Sequence, residues 1–234
     1  MPITSPHNES LKEVRKLAGR KWRDKTRSFV AEGEDLIGAA AAAGWTPEVL
    51  LSEAGSGLGG EEVAGHLLKE VSQLGSGTRA LAVYPQRWAP AATGPVCVAL
   101  WGVNDPGNVG TVLRAALAFG AGSVALGPGT ADPYGSKAVR ASMGAIFAVP
   151  VVRIAAVGEL PGRTVALAAR AGRALAELEH DEVTLVVGAE REGLPPDVLA
   201  ACDEAAHIPI RSESLNAAMA ATIGLYEVTR VARA

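Results

Sequence analysis

The sequence predicts an α/β protein: a small α/β module followed by a larger doubly wound parallel sheet. Three observations carry that expectation. Apolar runs of four or five residues alternate with helical periodicities from residue 96 to 231. Several of those runs, Val96–Leu100 and Val183–Val187 among them, are continuous rather than alternating, as strands buried on both faces are. The pattern is broken once, where Pro85, Pro90 and Pro95 fall within eleven residues with Gly94 among them.

Each element has its own signal. Leu11, Val14, Leu17 and Ala18 recur at helical spacing, and Gly19 stops the helix. Ser28–Ala31 reads as a strand, Glu34–Ala43 as a helix ended by Gly44, Pro47–Leu51 as a strand, Glu61–Leu74 as a helix and Ala80–Tyr84 as a strand. The second half opens with strand Val96–Leu100, then a loop over Asn104–Gly107 and a helix from about Val109 to Phe119. Strand Ser123–Leu126, helix Lys137–Met143, strands Val149–Val152, Thr164–Ala168 and Val183–Val187, a final strand near His207–Ile210 and a helix over Leu215–Val231 complete the alternation. The division expected is residues 1–90, the end of a linker at 91–95, and 96–234.

Composition narrows the class. The 234 residues include 44 alanines and 27 glycines but only ten aromatic side chains, so close approaches rather than large rings should build much of the core. The net charge of −3 hides an asymmetry: residues 1–30 carry +5 and the remaining 204 carry −8. Arg20, Lys21, Arg23, Lys25 and Arg27 lie within eight positions, against one acid, with Trp22 inside. A basic arm on an acidic body points to a polyanion partner, because neutralised phosphates release counterions. No apolar run approaches the roughly 18 residues of a membrane span, and His7–Ser10 is polar where an apolar signal core would stand, so a soluble cytoplasmic protein is expected. Cys97 and Cys202 read as small buried hydrophobes, and four scattered histidines with no CxxC offer no metal-ligand set. Gly55-Ser-Gly57-Leu-Gly-Gly60 fits a dinucleotide-binding pattern, but the acidic residue needed at the end of the next strand is replaced by Pro85-Gln86-Arg87. It reads as a surface turn, and a nicotinamide-dependent oxidoreductase is disfavoured with it.

Three segments carry the chemistry. Asn104-Asp-Pro-Gly-Asn108-Val-Gly110-Thr-Val-Leu-Arg114 leaves a buried strand and enters a helix, where free N–H groups face outward. Leu185-Val-Val-Gly188-Ala-Glu190-Arg-Glu-Gly193 ends a strand in a glycine and places a carboxylate on a loop of low steric bulk. Ile208-Pro-Ile210-Arg-Ser-Glu-Ser214-Leu215-Asn216-Ala217 ends a strand, turns and begins a helix. Three strand ends thus deliver polar loops to the sheet edge where α/β ligands bind.

These segments, Asn108-x-Gly110-x-x-x-Arg114, Gly188-x-Glu190-x-x-Gly193 and Ile208-Pro-x5-Leu215-Asn216, resemble in order the three motifs of the SpoU/TrmH RNA 2′-O-methyltransferases of the SPOUT class. Arg140-Ala-Ser142-Met-Gly144-Ala145 with Pro150-Val151 is similar to the family's intervening segment, and Phe29-Val-Ala-Glu32-Gly33 to the start of its ribosomal-protein-L30-like RNA-binding domain. The resemblance implies a deep trefoil knot in a Rossmann-like C-terminal sheet. It also implies S-adenosylmethionine (SAM) bordered by Ala168, Gly188, Ile208, Leu215, Asn216 and Ala217. The catalytic set it implies is Arg114, held by Asn108, with Glu190, Ser214 and Asn216 positioning it. A guanidinium is a poor base, so the proton role of Arg114 stays open beside phosphate binding. The resemblance further implies a homodimer without a metal, and RNA as partner, with rRNA favoured over tRNA. The basic arm would hold that RNA by its phosphates, with Trp22 and Trp45 as the stacking groups available. The alternative is a non-catalytic RNA-binding or ribosome-assembly protein on the same fold.

Overall fold

The structure, a computed structural model, describes residues 1–178, 181–211 and 213–231. It divides into two compact units: residues 1–87 with 132–147, and residues 88–131 with 148–234.

The first unit runs α1 (Glu9–Leu17), α2 (Arg20–Thr26), β1 (Ser28–Glu32), α3 (Glu34–Ala42), β2 (Val49–Glu53), β3 (Glu61–Val63), α4 (Gly65–Val71) and β4 (Ala80–Pro85). Its sheet has the order β1-β4-β2-β3, antiparallel except for the β2–β3 pair. The strand period of two sorts the side chains. Leu81 and Val83 of β4 join Leu11, Val14 and Leu17 of α1 and Leu67, Leu68 and Val71 of α4 in one buried cluster. Phe29 and Tyr84, one position out of phase, belong to an aromatic cluster in which Phe29 lies 4.7–6.2 Å from the rings of Tyr134, Phe147, Tyr84 and Trp45. Trp45 Nε1 donates to the Phe147 carbonyl at 2.8 Å, satisfying its one polar group in the core.

Two sequence expectations change here. Glu61–Val63 pairs with β2 as a strand before the helix begins, because that edge of β2 is open; the helix is confined to Gly65–Val71. Residues 132–147, expected with the second domain, pack in the first unit: Tyr134 and Phe147 are members of its aromatic cluster, and the segment's helix packs on β1. Local periodicity shows that such a segment has an apolar face and is silent on which core receives it.

The second unit, with that excursion in its chain order, runs β5 (Val96–Leu100), α5 (Pro106–Phe119), β6 (Ser123–Leu126), α6 (Ser136–Ala141, in the first unit), β7 (Val151–Arg153), β8 (Arg163–Leu167), β9 (Arg173–Ala174), β10 (Val183–Val187), α7 (Pro196–Ala201), β11 (Glu204–His207) and α8 (Ala217–Val231). Its seven strands are all parallel in the order β7-β6-β5-β10-β8-β11-β9, as the continuous apolar runs predicted. Cys97, Ala99, Ala125 and Val186 pack on one side with Trp101, Val152 and Val198. Helix α8 packs against α5, β5 and β10. Gly224 makes that approach possible, since a Cβ there would stand 2.9 Å from Leu185 Cδ1. The last strand lies three residues earlier than expected, which frees Ile208–Ile210 as loop.

Candidate active site

The three sequence segments meet at the ends of β5, β10 and β11. Asp105 caps α5, accepting from the Gly107 N–H at 2.7 Å, and Pro106 supplies the first helical residue, where a missing N–H costs nothing. Asn108 therefore sits in the first turn of α5. Asn216 caps α8, its Oδ1 accepting from the N–H groups of Ala218 at 3.0 Å and Met219 at 3.2 Å. Its Nδ2 donates to Asn108 Oδ1 at 3.1 Å, and Asn108 Nδ2 donates in turn to Glu190 Oε1. One directed chain, α8 N-terminus to Asn216 to Asn108 to Glu190, thus ties the three segments together. Each amide is locked by using both its donor and its acceptor, and the chain delivers hydrogen-bond donation to a carboxylate.

Gly188 is needed for the loop that carries Glu190. The loop folds back so that Ala189 and Gly193 exchange backbone hydrogen bonds of 3.2 and 2.9 Å, and a Cβ on Gly188 would lie 2.3 Å from the Gly193 carbonyl carbon. The requirement is close approach rather than positive φ.

Beside this chain lies a cleft of about 570 Å³. Ala168, Gly188, Ile208, Leu215 and Ala217 line it, as do Glu190 and Ser214. Leu167, Ile210 and Ala220 line it too, although the motif pattern does not mark them. Ala220 stands one helical turn after Ala217, so extending that position by helix periodicity would find it, whereas Leu167 is adjacent to Ala168 and strand alternation alone would assign it to the other face. Asn216 is in the hydrogen-bonded chain and not in the cleft wall.

Arg114 is placed differently from the expectation. Among the described residues no hydrogen bond joins it to Asn108, whose side chain bonds Glu190 and Asn216. Six residues of α-helix turn through about 600°, which leaves Arg114 about 120° around α5 from Asn108. Its side chain is exposed and, among the described residues, makes no hydrogen bond or ion pair.

The basic arm is likewise resolved into parts. Arg20–Thr26 is helix α2, and Arg20, Lys21 and Lys25 are exposed upon it. Arg23 is not: its guanidinium pairs with Asp132 at 2.9 Å and donates to the Leu17 and Ala18 carbonyls at 2.8 Å, with both ionic side chains 8% exposed. Every donor face of that guanidinium is directed inward, which removes Arg23 from the polyanion surface. Arg27 ends the helix in the left-handed conformation, with φ of 58°. Trp22 is 36% exposed, with Lys16 and Lys25 ammonium groups 5.2 and 5.0 Å from its ring, whereas Trp45 is buried in the aromatic cluster and offers no stacking face. The Gly55–Gly60 stretch joins β2 to β3, with Gly60 against the Leu50 carbonyl, and contributes nothing to the cleft.

Comparison with known proteins identifies the family. The model of the SpoU rRNA methylase family matches residues 95–226, and that of the MRM3-like substrate binding domain matches residues 8–88. The chain is 32% identical over 243 residues to the 23S rRNA (guanosine(2553)-2′-O)-methyltransferase RlmP of Bacillus subtilis strain 168, covering 97% of this chain and 98% of that one. To the 23S rRNA (uridine(2479)-2′-O)-methyltransferase of Streptomyces viridochromogenes it is 35% identical over 143 residues, covering 54% of this chain and 50% of that one. Among solved structures, the AdoMet-bound rRNA methyltransferase from Sinorhizobium meliloti matches with a TM-score of 0.88 at 32% identity, covering 99% of this chain and 98% of that one. AviRb from Streptomyces viridochromogenes in complex with AdoMet matches with a TM-score of 0.87 at 26% identity, covering 97% and 99%. With its three motifs joined at one cleft, a family match over more than half its length and a relative aligned almost end to end, the chain belongs to the SpoU rRNA methylase family.

Proposed function

We propose that the chain is a SAM-dependent methyltransferase acting on a ribose 2′-hydroxyl of ribosomal RNA, in the cytoplasm and as a homodimer. The observation that carries the reading is the cleft at the ends of β8, β10 and β11 with the Asn216–Asn108–Glu190 chain beside it. Its lining fits the cofactor. Leu167, Ile208, Ile210 and Leu215 offer flat apolar walls for an adenine, and Ala168, Ala217 and Ala220 leave it room. Three carboxylates, Glu190, Glu192 and Glu213, against one arginine, Arg191, suit a group bearing sulfonium and ammonium charges.

When bound, the cofactor supplies an activated methyl group, and transfer from a sulfonium needs no Lewis acid. The chain's residues supply position. Asn216 and Asn108 fix the Glu190 carboxylate, and the capped ends of α5 and α8 fix both asparagines, so the loop need not be ordered at the moment of reaction. Methylation of the 2′-oxygen releases its proton, which passes to solvent directly or by way of Arg114, and the same guanidinium binds the phosphate beside the target ribose.

Arg114 stands outside the cleft wall on an exposed face of α5. Leu117, three residues on, is 48% exposed, and Met219 and Tyr226 of α8 are 59% and 53% exposed. A second copy covering α5 and α8 would bury these three side chains and enclose Arg114. Helix α8 packed on α5, β5 and β10 supports the threaded C-terminus of the SPOUT knot, and residues 8–88 are read as the L30-like RNA-binding module. RNA is held there by Arg20, Lys21, Lys25 and Arg27, with Trp22 as a stacking face.

The test combines calorimetry with SAM and transfer of labelled methyl to rRNA from cells lacking the protein, followed by mapping of 2′-O-methylation. SAM binding with label in one ribose position is expected. RNA binding with neither would leave the non-catalytic reading in place. Light scattering should report a dimer, and Tyr226→Asp should dissociate it and depress transfer.

A further inference from the structure

We propose that Arg170 and Arg211 bind a backbone phosphate of the substrate RNA in a second depression that opens beside the cofactor cleft. The proposal rests on the methyltransferase reading and extends it to residues outside the three motifs' assigned positions.

The depression measures about 570 Å³ and is lined by Ala169, Arg170, His207, Ile208, Pro209, Ile210 and Arg211. It shares Ala169, Ile208 and Ile210 with the cofactor cleft, so a chain lying in one passes the mouth of the other. Its walls hold two guanidinium groups and an imidazole and no carboxylate. That is unusual in a region whose overall balance is acidic, residues 31–234 carrying −8.

Four other arginines of the second unit are engaged, whereas Arg114 and Arg191, like Arg170 and Arg211, have no ion pair among the described residues. Arg163 and Arg173 both pair with Glu204, at 2.5 and 3.7 Å; Arg230 pairs with Glu227; Arg153 lies over the Trp88 ring at 4.0 Å. Arg170 and Arg211 are exposed and, among the described residues, have no ion pair. They come from separate strand ends, one after β8 and one after β11, so the fold rather than the local sequence brings them to one depression. His207, whose Nδ1 lies 3.3 Å from the Gly172 carbonyl, is held on the same wall. Two arginines brought by two loops to one depression suit the recognition of a phosphodiester, and a polynucleotide is the phosphate source that must pass this cleft for a ribose to be methylated.

The test compares wild type, R170A/R211A and R170K/R211K with an in vitro transcript of 23S rRNA, measuring SAM affinity, RNA affinity against salt, and steady-state transfer. The alanine pair should raise the RNA KM at least tenfold and leave kcat and SAM affinity within twofold. It should also make the salt dependence shallower by about 0.7 to 0.9, the slope that one neutralised phosphate contributes. The lysine pair should recover part of the RNA affinity by keeping charge without the fork. Unchanged RNA KM and salt slope overturn the proposal, as does a defect confined to SAM affinity, which would assign the arginines to the cofactor. A wild type that binds SAM but not the transcript would remove the rRNA reading itself, an outcome seen before any variant is made.

Discussion

The two units solve the same problem with opposite materials. The first gathers five aromatic rings, Phe29, Trp45, Tyr84, Tyr134 and Phe147, into one cluster and locks a guanidinium with Asp132 in the same unit. The second builds on alanine, valine and glycine, with backbone meeting backbone at Gly188 and helix meeting strand at Gly224. Ring packing concentrates stability in a few residues; small-residue packing spreads it and lets loops approach within van der Waals distance of one another. The cleft lies in the unit that can bring loops that close.

The contrast is open to test, beginning with the largest effects. Phe29→Ala should cost about 3–5 kcal/mol in denaturant unfolding of the first unit, since it empties the centre of the ring cluster. SAM affinity should stay within twofold, and a parallel fall in cofactor binding would mean the units do not divide the work. Arg23→Ala should cost about 3–5 kcal/mol by stranding a buried Asp132, whereas Lys21→Ala should stay within about 0.5 kcal/mol and weaken RNA binding instead. Equal destabilisation by the two variants would erase the distinction drawn within the basic helix. Gly188→Ala should reduce methyl transfer by about 10²-fold, because the added carbon must displace the Gly193 backbone and with it Glu190.

Smaller effects refine the second unit. Asn216→Ala removes the α8 cap and should cost about 1 kcal/mol, with Asn216→Ser recovering part of the stability and none of the bond to Asn108. Burial, helped by the neighbouring Asp203 carboxylate, pushes the Cys202 thiol up to about 11. The folded chain therefore keeps that proton to higher pH than the unfolded chain, so its stability falls as pH rises past the ordinary thiol range. Alkylation of Cys202 should be slow at pH 8 and should speed up in denaturant; rapid labelling of the native protein at pH 8 would contradict the assignment.

Much of this is legible in the sequence where a signal is local. Val96–Leu100, Ser123–Leu126 and Val183–Val187 are strands at the predicted residues because continuous apolar runs admit little else. Helix α2 gives no such signal, because its single inward side chain is an arginine and the segment has no apolar period. Trp45, expected as a stacking face, is a core ring for a related reason. An aromatic flanked by glycine and threonine gives no sign of the rings that come to it from Phe29, Tyr84 and Phe147. At the site, the motif spacing locates the cleft residues, while the wiring of Asn108 to Glu190 and Asn216, 82 and 108 positions away, depends on three strand ends meeting.

The excursion of residues 132–147 has a consequence for how such proteins can be taken apart. The chain crosses between the units at 87/88, 131/132 and 147/148, so no single cut separates them. A fragment beginning at residue 96 would carry Tyr134, Val139, Ile146 and Phe147 without the core that buries them, and a fragment ending at residue 90 would lack two rings of its own cluster. The two units are therefore not interchangeable cassettes. An exchange of either unit between relatives would have to carry three chain crossings rather than one.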